Sequence, residues 1–109
     1  DKRKYRLLFI INLYKEHCIT QEEVLNIILV IEKRLQLNLK NKEYTTVNEE
    51  LTELMYIFIF NMVNDIKSNP IFSNINDWIS MYSTSKPKDN QGFTSRSMFK
   101  FMDMRDLFK

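Results

Sequence analysis

Thr94-Ser95-Arg96-Ser97-Met98-Phe99-Lys100-Phe101-Met102-Asp103-Met104-Arg105-Asp106-Leu107-Phe108-Lys109 closes the chain and decides how the rest of it is read. Thr94 or Ser95 can serve as N-cap, because a hydroxyl there accepts a hydrogen bond from a backbone N–H that the first helical turn leaves unpaired. Met98, Phe101, Met104 and Phe108 recur at steps of three and four and so share one helix face. Arg96, Lys100 and Asp103 fall on another face, where Lys100 and Asp103 can pair at i,i+3. The stretch therefore predicts a capped amphipathic helix over about 95–108. Its methionines suit either an adaptable binding surface or core packing, and the interleaved aromatic residues favour packing.

The same grammar runs backwards through the chain. Asn69-Pro70 predicts a helix over about 70–82, with proline at the first helical position and Ile71, Ile75, Trp78, Ile79 and Tyr82 on the inward stripe. Thr46 with Glu49 reads as a capping box opening a helix over about 46–67, and Thr20 with Glu23 opens another over about 20–36. A fifth helix, about 2–17, is apolar nearly all round: Leu7, Leu8, Ile10, Ile11 and Tyr14 form one stripe, and Tyr5, Phe9 and Leu13 fill another. Such a helix is buried on most sides or lacks a neighbour. Residues 37–45 read as a connection and residues 83–93 as a mobile loop. The apolar run Tyr56–Phe60 is strand-like by itself, but its flanks are helical and no turn interrupts it.

Composition agrees. The 109 residues suit one domain or a piece of one, and a hydrophobic fraction of 44% is enough to bury a core. One glycine and two prolines leave few helix breakers. The fold class predicted is all-α: two antiparallel helix pairs and a closing helix, a HEAT-like helical-hairpin solenoid segment, with a five-helix bundle as the competing arrangement. A start at Asp1 without methionine suggests an excised fragment. Cys18 is the single cysteine, which excludes an intramolecular disulfide and suits a reducing compartment. No apolar run approaches the length of a membrane span.

Catalytic chemistry finds little support. His17 and Cys18 are neighbours, but adjacent helical residues point about 100° apart and do not form a nucleophile–base pair. A helix-end histidine and a partly buried thiol account for them. Glu22-Glu23 and Glu49-Glu50 are first-turn acids favoured by the helix dipole. No spacing suggests a zinc site, and Gly92 alone makes no phosphate loop. No metal and no cofactor is expected. Binding remains. Lys2, Arg3, Lys4 and Arg6 form a basic cluster; Arg34, Lys40 and Lys42 surround the second connection; Lys86 and Lys88 sit in the long loop. Solvated helix ends explain such runs as readily as RNA contact does, and a net charge of +2 decides nothing. Tyr5 and Tyr44 lie near these groups, where they could stack on bases or simply pack.

The order of residue types also resembles a known signature. The middle domain of the eukaryotic translation initiation factor 4G family closes with a helix of the pattern Ser-Ser-Arg-x-x-Phe-x-Leu-x-Asp-x-x-Asp-Leu. Here the run is Thr94, Ser95, Arg96, Phe99, Phe101, Asp103, Asp106 and Leu107. Residues 6–15, Ile19-Thr20-Gln21-Glu22 and residues 48–54 resemble earlier helices of the same domain, in order. The likeness spans the chain and corresponds to the second half of that domain. Met98 and Phe108 stand where the family usually has arginine, and Asn12 where it has a small glycine. The resemblance implies a non-enzymatic cytoplasmic scaffold of translation initiation that binds a DEAD-box RNA helicase and RNA. Its helicase contacts would fall on Arg96, Lys100 and Asp103, with Lys86 and Lys88 beside them. Relatives sharing this domain act in nonsense-mediated decay and nuclear cap binding, and a purely structural repeat segment is a further alternative.

Overall fold

The computed structural model describes residues 2–109, so the expectation attached to Asp1 lies outside it. Among the described residues the chain is all-helical: α1 (Lys2–Lys15), α2 (Gln21–Asn38), α3 (Thr45–Lys67), α4 (Phe72–Thr84) and α5 (Ser95–Leu107), with a 3₁₀ turn at Lys42–Tyr44 before α3.

Local chemistry sets most of the boundaries. Thr20 and Glu23 form the expected capping box: the Glu23 N–H donates to Thr20 Oγ1 at 3.1 Å, and the Thr20 N–H donates to Glu23 Oε1 at 3.0 Å. Thr94 caps α5 by accepting from the Ser97 N–H at 3.2 Å. α1 ends two residues before the predicted limit. The Cys18 N–H bonds to the Leu13 carbonyl and the His17 N–H to the Tyr14 carbonyl, while His17 takes a left-handed φ of 63°. This is a Schellman stop, usually built on glycine. Pro70, expected at the first helical position, instead lies in a turn before α4, where Asn69 Oδ1 accepts from the Ile71 N–H at 3.0 Å. Regular α-helix starts only at Phe72, because the first turn is tightened by a Phe72 N–H to Asn69 carbonyl bond.

The Thr46–Glu49 box does not form. The 3₁₀ turn, capped by Asn41, runs straight into α3, so Thr46 already lies inside the helix and needs no cap. α3 is kinked at Met62 (φ −124°, ψ 18°), where the Asn61 side chain donates to the Ile57 carbonyl at 2.8 Å. A side chain drawn onto the helical ladder is a recognised cause of such bends.

α3 is the hub. It packs against α1, α2 and α5, and α5 packs equally on α3 and α4, filling the space between them. The expected side-by-side pairing of α3 with α4 is correspondingly sparse. The core runs through Ile11, Val24, Ile28, Leu35, Met55, Phe58, Met62, Ile66, Ile75 and Ile79, and ends in an aromatic cluster of Tyr82, Phe93 and Phe101. Tyr82 and Phe101 lie 4.7 Å apart between ring centroids, and both are fully buried. Removing a ring from such a site costs about 3–5 kcal/mol. Trp78, read from sequence as a core residue, is only half-buried at the core's margin.

Two polar links bind the layers. Tyr14 donates to Asp65 (2.8 Å), Gln21 to Tyr14 (3.2 Å) and Asn69 to Gln21 (2.9 Å), joining the end of α1, the start of α2 and the α3–α4 turn. The hydrogen bond to Asp65 is the main cause that raises the Tyr14 pKa. Deeper in, the Tyr82 hydroxyl donates to buried Glu32 at 2.9 Å, tying α4 to α2.

The stretch read as a mobile loop is docked. Ser83 and Thr84 belong to α4, and Phe93 is buried. The Gly92 N–H donates to the Leu39 carbonyl at 2.9 Å. Asn48, buried in α3, donates to both the Asn38 carbonyl (3.1 Å) and the Gly92 carbonyl (2.8 Å). The loop thus lies on the α2–α3 connection, and glycine is required because the backbones touch there.

Candidate functional site

The first half of α3 carries three acids, Glu49, Glu50 and Glu53, on the side facing the start of α1 and the start of α5. Cations arrive from both neighbours. Arg3 of α1 meets Glu50 at 3.3 Å, and Lys100 of α5 meets Glu53 at 3.4 Å. Glu49 accepts from the hydroxyl of Thr94 at 2.9 Å, so the residue that caps α5 also fastens it to α3. Between the helices lies a groove of ≈ 500 Å³, with Leu54 and Ile57 in its apolar lining and Lys4, Arg96 and Lys100 among its cations. Such exposed ion pairs contribute little to stability, about 0–1 kcal/mol each. Their effect is to shape a groove of alternating charge.

The α5 residues singled out from sequence separate into two roles. Lys100 does not pair with Asp103. It turns toward α3, where its ammonium sits 4.5 Å from the centre of the Tyr56 ring as well as near Glu53. An ammonium over an aromatic face is attracted by the ring quadrupole, and this contact half-buries the side chain. Arg96 stays exposed at the groove, with no ion pair among the described residues. Asp103 is exposed further along α5. Between them, at helical spacing, lies Phe99, which is 57% exposed. Sequence reasoning named Phe99 only as part of a motif. Its position off the Met98–Phe101–Met104 stripe was the available signal that it faces outward.

The basic clusters divide similarly. Arg3 and Lys4 turn toward the groove, whereas Lys2 and Arg6 are exposed on α1. The acids of α3 stand among the first pair, so the four cations do not form one uniform phosphate-binding patch. Arg34, Lys40 and Lys42 are exposed, as are Lys86 and Lys88. Docking of Gly92 on Leu39 brings the long loop onto the second connection, where Lys40, Lys42 and the loop's Gln91 line one shallow depression.

His17 and Cys18 are both exposed at the α1 stop, which corrects the partly buried thiol expected from sequence. Among the described residues no three His, Cys, Asp or Glu side chains gather as a metal site, and no helix is long and apolar enough to cross a membrane. The shifted titrations belong to structural contacts. Hydrogen bonding to Thr20 lowers the Glu23 pKa, and burial, with the negative charge of Glu32, pushes that of Tyr82 far up.

Among the described residues, fold and surface define an all-helical chain with a mixed-charge groove beside an exposed arginine and phenylalanine. No family model matches the chain, and neither a curated protein nor a solved structure matches it.

Proposed function

We propose that the chain is a non-enzymatic, cytoplasmic scaffold of translation initiation, built as a HEAT-like stack of two helical hairpins closed by α5, which binds a DEAD-box RNA helicase. The observation that carries this is the division of the closing signature. Phe101 is buried, Leu107 is half-buried and Thr94 caps the helix, so these members build the fold. Arg96, Phe99 and Asp103 are exposed, and neither Arg96 nor Asp103 forms an ion pair among the described residues. Arginine and large aromatic side chains are the types that dominate protein interfaces. Perturbed titrations that all serve helix caps and packing support a binding role over a catalytic one.

In this reading Arg96, Phe99 and Asp103 contact one lobe of the helicase, and Lys100 orients the groove wall through Tyr56 and Glu53. Lys86 and Lys88 extend the contact from the docked loop. The scaffold acts by population shift, raising the share of the helicase arrangement it binds more tightly. RNA is a second partner, held along the edge carrying Arg34, Lys40 and Lys42, where Glu43 is the acid beside the two lysines.

Surface-plasmon binding to the initiation helicase tests this. Arg96→Glu and Phe99→Ala should each weaken binding about tenfold or more while leaving helicity unchanged. The arginine effect should shrink at high salt, and Lys33→Glu on α2 should do little. Wild-type binding with unaltered variants would remove α5 from the interface. Absence of wild-type binding would sink the helicase reading and promote the adaptor of RNA decay or nuclear cap binding.

A further inference from the structure

α1 buries Leu7 and Ile11, packs against α2 and α3, and turns a different set of side chains outward. At about 100° per residue, Lys2, Tyr5, Arg6, Phe9, Asn12, Leu13 and Glu16 fall within an arc of about 120° centred on Phe9, opposite the buried pair. Tyr5 is 69% exposed and Phe9 63%. Leu13 is half-buried, and the four polar members are exposed. The Glu16 N–H still bonds to the Asn12 carbonyl, so helical geometry persists to the end of the stripe. Charge is polarised along it. Among the described residues the first turn is basic and holds no acid, an unfavourable arrangement at the positive pole of a helix. The far end of the stripe carries Glu16, with Lys15 beside it but about 120° away from Phe9 and so off the stripe.

We propose that this face pairs with the same face of a second copy, antiparallel, about a twofold axis at Phe9. The pattern is self-complementary under that operation. With Phe9 on the axis, residue i meets residue 18 − i. Phe9 then packs on Phe9, Tyr5 on Leu13 and Lys2 beside Glu16, while Arg6, at the margin of the stripe, flanks Leu13. Each end of the helix receives its opposite charge, and both exposed rings leave water. A parallel pairing would set Lys2 on Lys2 and Glu16 on Glu16 and is excluded by repulsion. An acidic partner helix would satisfy the cations but oppose Glu16, and an RNA strand stacked on Tyr5 and Phe9 would meet the same carboxylate. The second copy alone satisfies both ends. Twofold pairing of one patch with itself is the commonest closed assembly. About seven side chains per copy, against the 20–30 of a standard interface, make the dimer reversible and concentration-dependent. The inference does not depend on the helicase reading, since the α5 surface lies elsewhere.

Sedimentation velocity of the full chain over a concentration series tests it, with circular dichroism confirming that each variant folds. Wild type should pass from monomer to dimer. Phe9→Asp should leave only monomer, and its exposed position means that folding survives. Lys2→Glu or Glu16→Lys alone should raise the dimer dissociation constant about fivefold to tenfold, each removing two symmetry-related pairs. Combining the two should restore it. In a Cys18→Ser background, Phe9→Cys should give a disulfide-linked dimer under mild oxidation. A wild type monomeric at every concentration, a dimer that survives Phe9→Asp, or failure of the double charge swap to rescue would overturn the proposal. A monomer that instead binds a uridine oligonucleotide through Tyr5 and Phe9 would assign the face to RNA.

Discussion

A methyl group added at Gly92 would lie 2.6 Å from the Asn41 carbonyl oxygen and 2.7 Å from those of Asn38 and Leu39. Ordinary carbon–oxygen contact begins near 3.4 Å. All three oxygens are backbone atoms of the α2–α3 connection, so no side chain can rotate aside, and the loop must lift by several tenths of an ångström. Lifting stretches the Gly92 N–H bond to Leu39 and the bond from Asn48 to the Gly92 carbonyl. Each is worth about 0.5–1.5 kcal/mol. Asn48 is fully buried and among the described residues its Oδ1 has no hydrogen-bond partner, so further loss there is costly. The shift also loosens Phe93 against Tyr82 and Phe101. The smaller unfolded-state entropy of alanine returns about 0.4–1 kcal/mol. Gly92→Ala should therefore destabilise by about 2–3 kcal/mol, which lowers Tm by roughly 10 °C for a domain of this size. Thermal melts followed by circular dichroism, with Gln91→Ala as an exposed control, measure it. A Gly92→Ala melt within about a degree of wild type would show that the loop does not rest on the connection.

Two further outcomes follow from buried or strained groups. Tyr82→Phe strands the buried Glu32 carboxylate and should cost about 1–3 kcal/mol in urea unfolding. Because the folded-state pKa of Tyr82 lies above the unfolded value of about 10, its contribution is intact below that pH and is lost as pH rises beyond it. The variant should accordingly be less sensitive to alkali, and an unchanged alkaline transition would contradict the account. His17→Gly should stabilise by about 0.5–1 kcal/mol by relieving the left-handed backbone, and a neutral or lower melt would mean that the imidazole makes a compensating contact.

Where the decisive contact spans one helical turn, reading the residues in order was enough. The Thr20–Glu23 box, the Thr94 cap and the Asn69 bond each join positions two or three residues apart, and their partners are visible in the string. The buried stripe of α5 follows from spacing alone, since Phe101 and Met104 are fully buried. Thr46–Glu49 had the same signature but failed, because a preceding 3₁₀ turn had already satisfied the helix start. The candidate surface was legible only in part: Arg96 and Asp103 are exposed as expected, but Lys100 chose Glu53 and Tyr56, one helix away, over Asp103, one turn away.

The amino-acid order by itself thus determined that the chain is helical, roughly where four of the five helices begin, and which stripes of the later helices turn inward. Helical periodicity and capping bonds act within a turn, and residue type and spacing settle them. Tertiary structure alone decided that Gly92 rests on the second connection and that Glu32 is buried under Tyr82. It also decided that the basic start of α1 divides between a groove and an open face. Those contacts join residues some 44 to 53 positions apart. At such separations many partners are chemically equivalent. The choice falls to whichever pairing lets α5 close over α3 and α4 while burying Tyr82, Phe93 and Phe101 together.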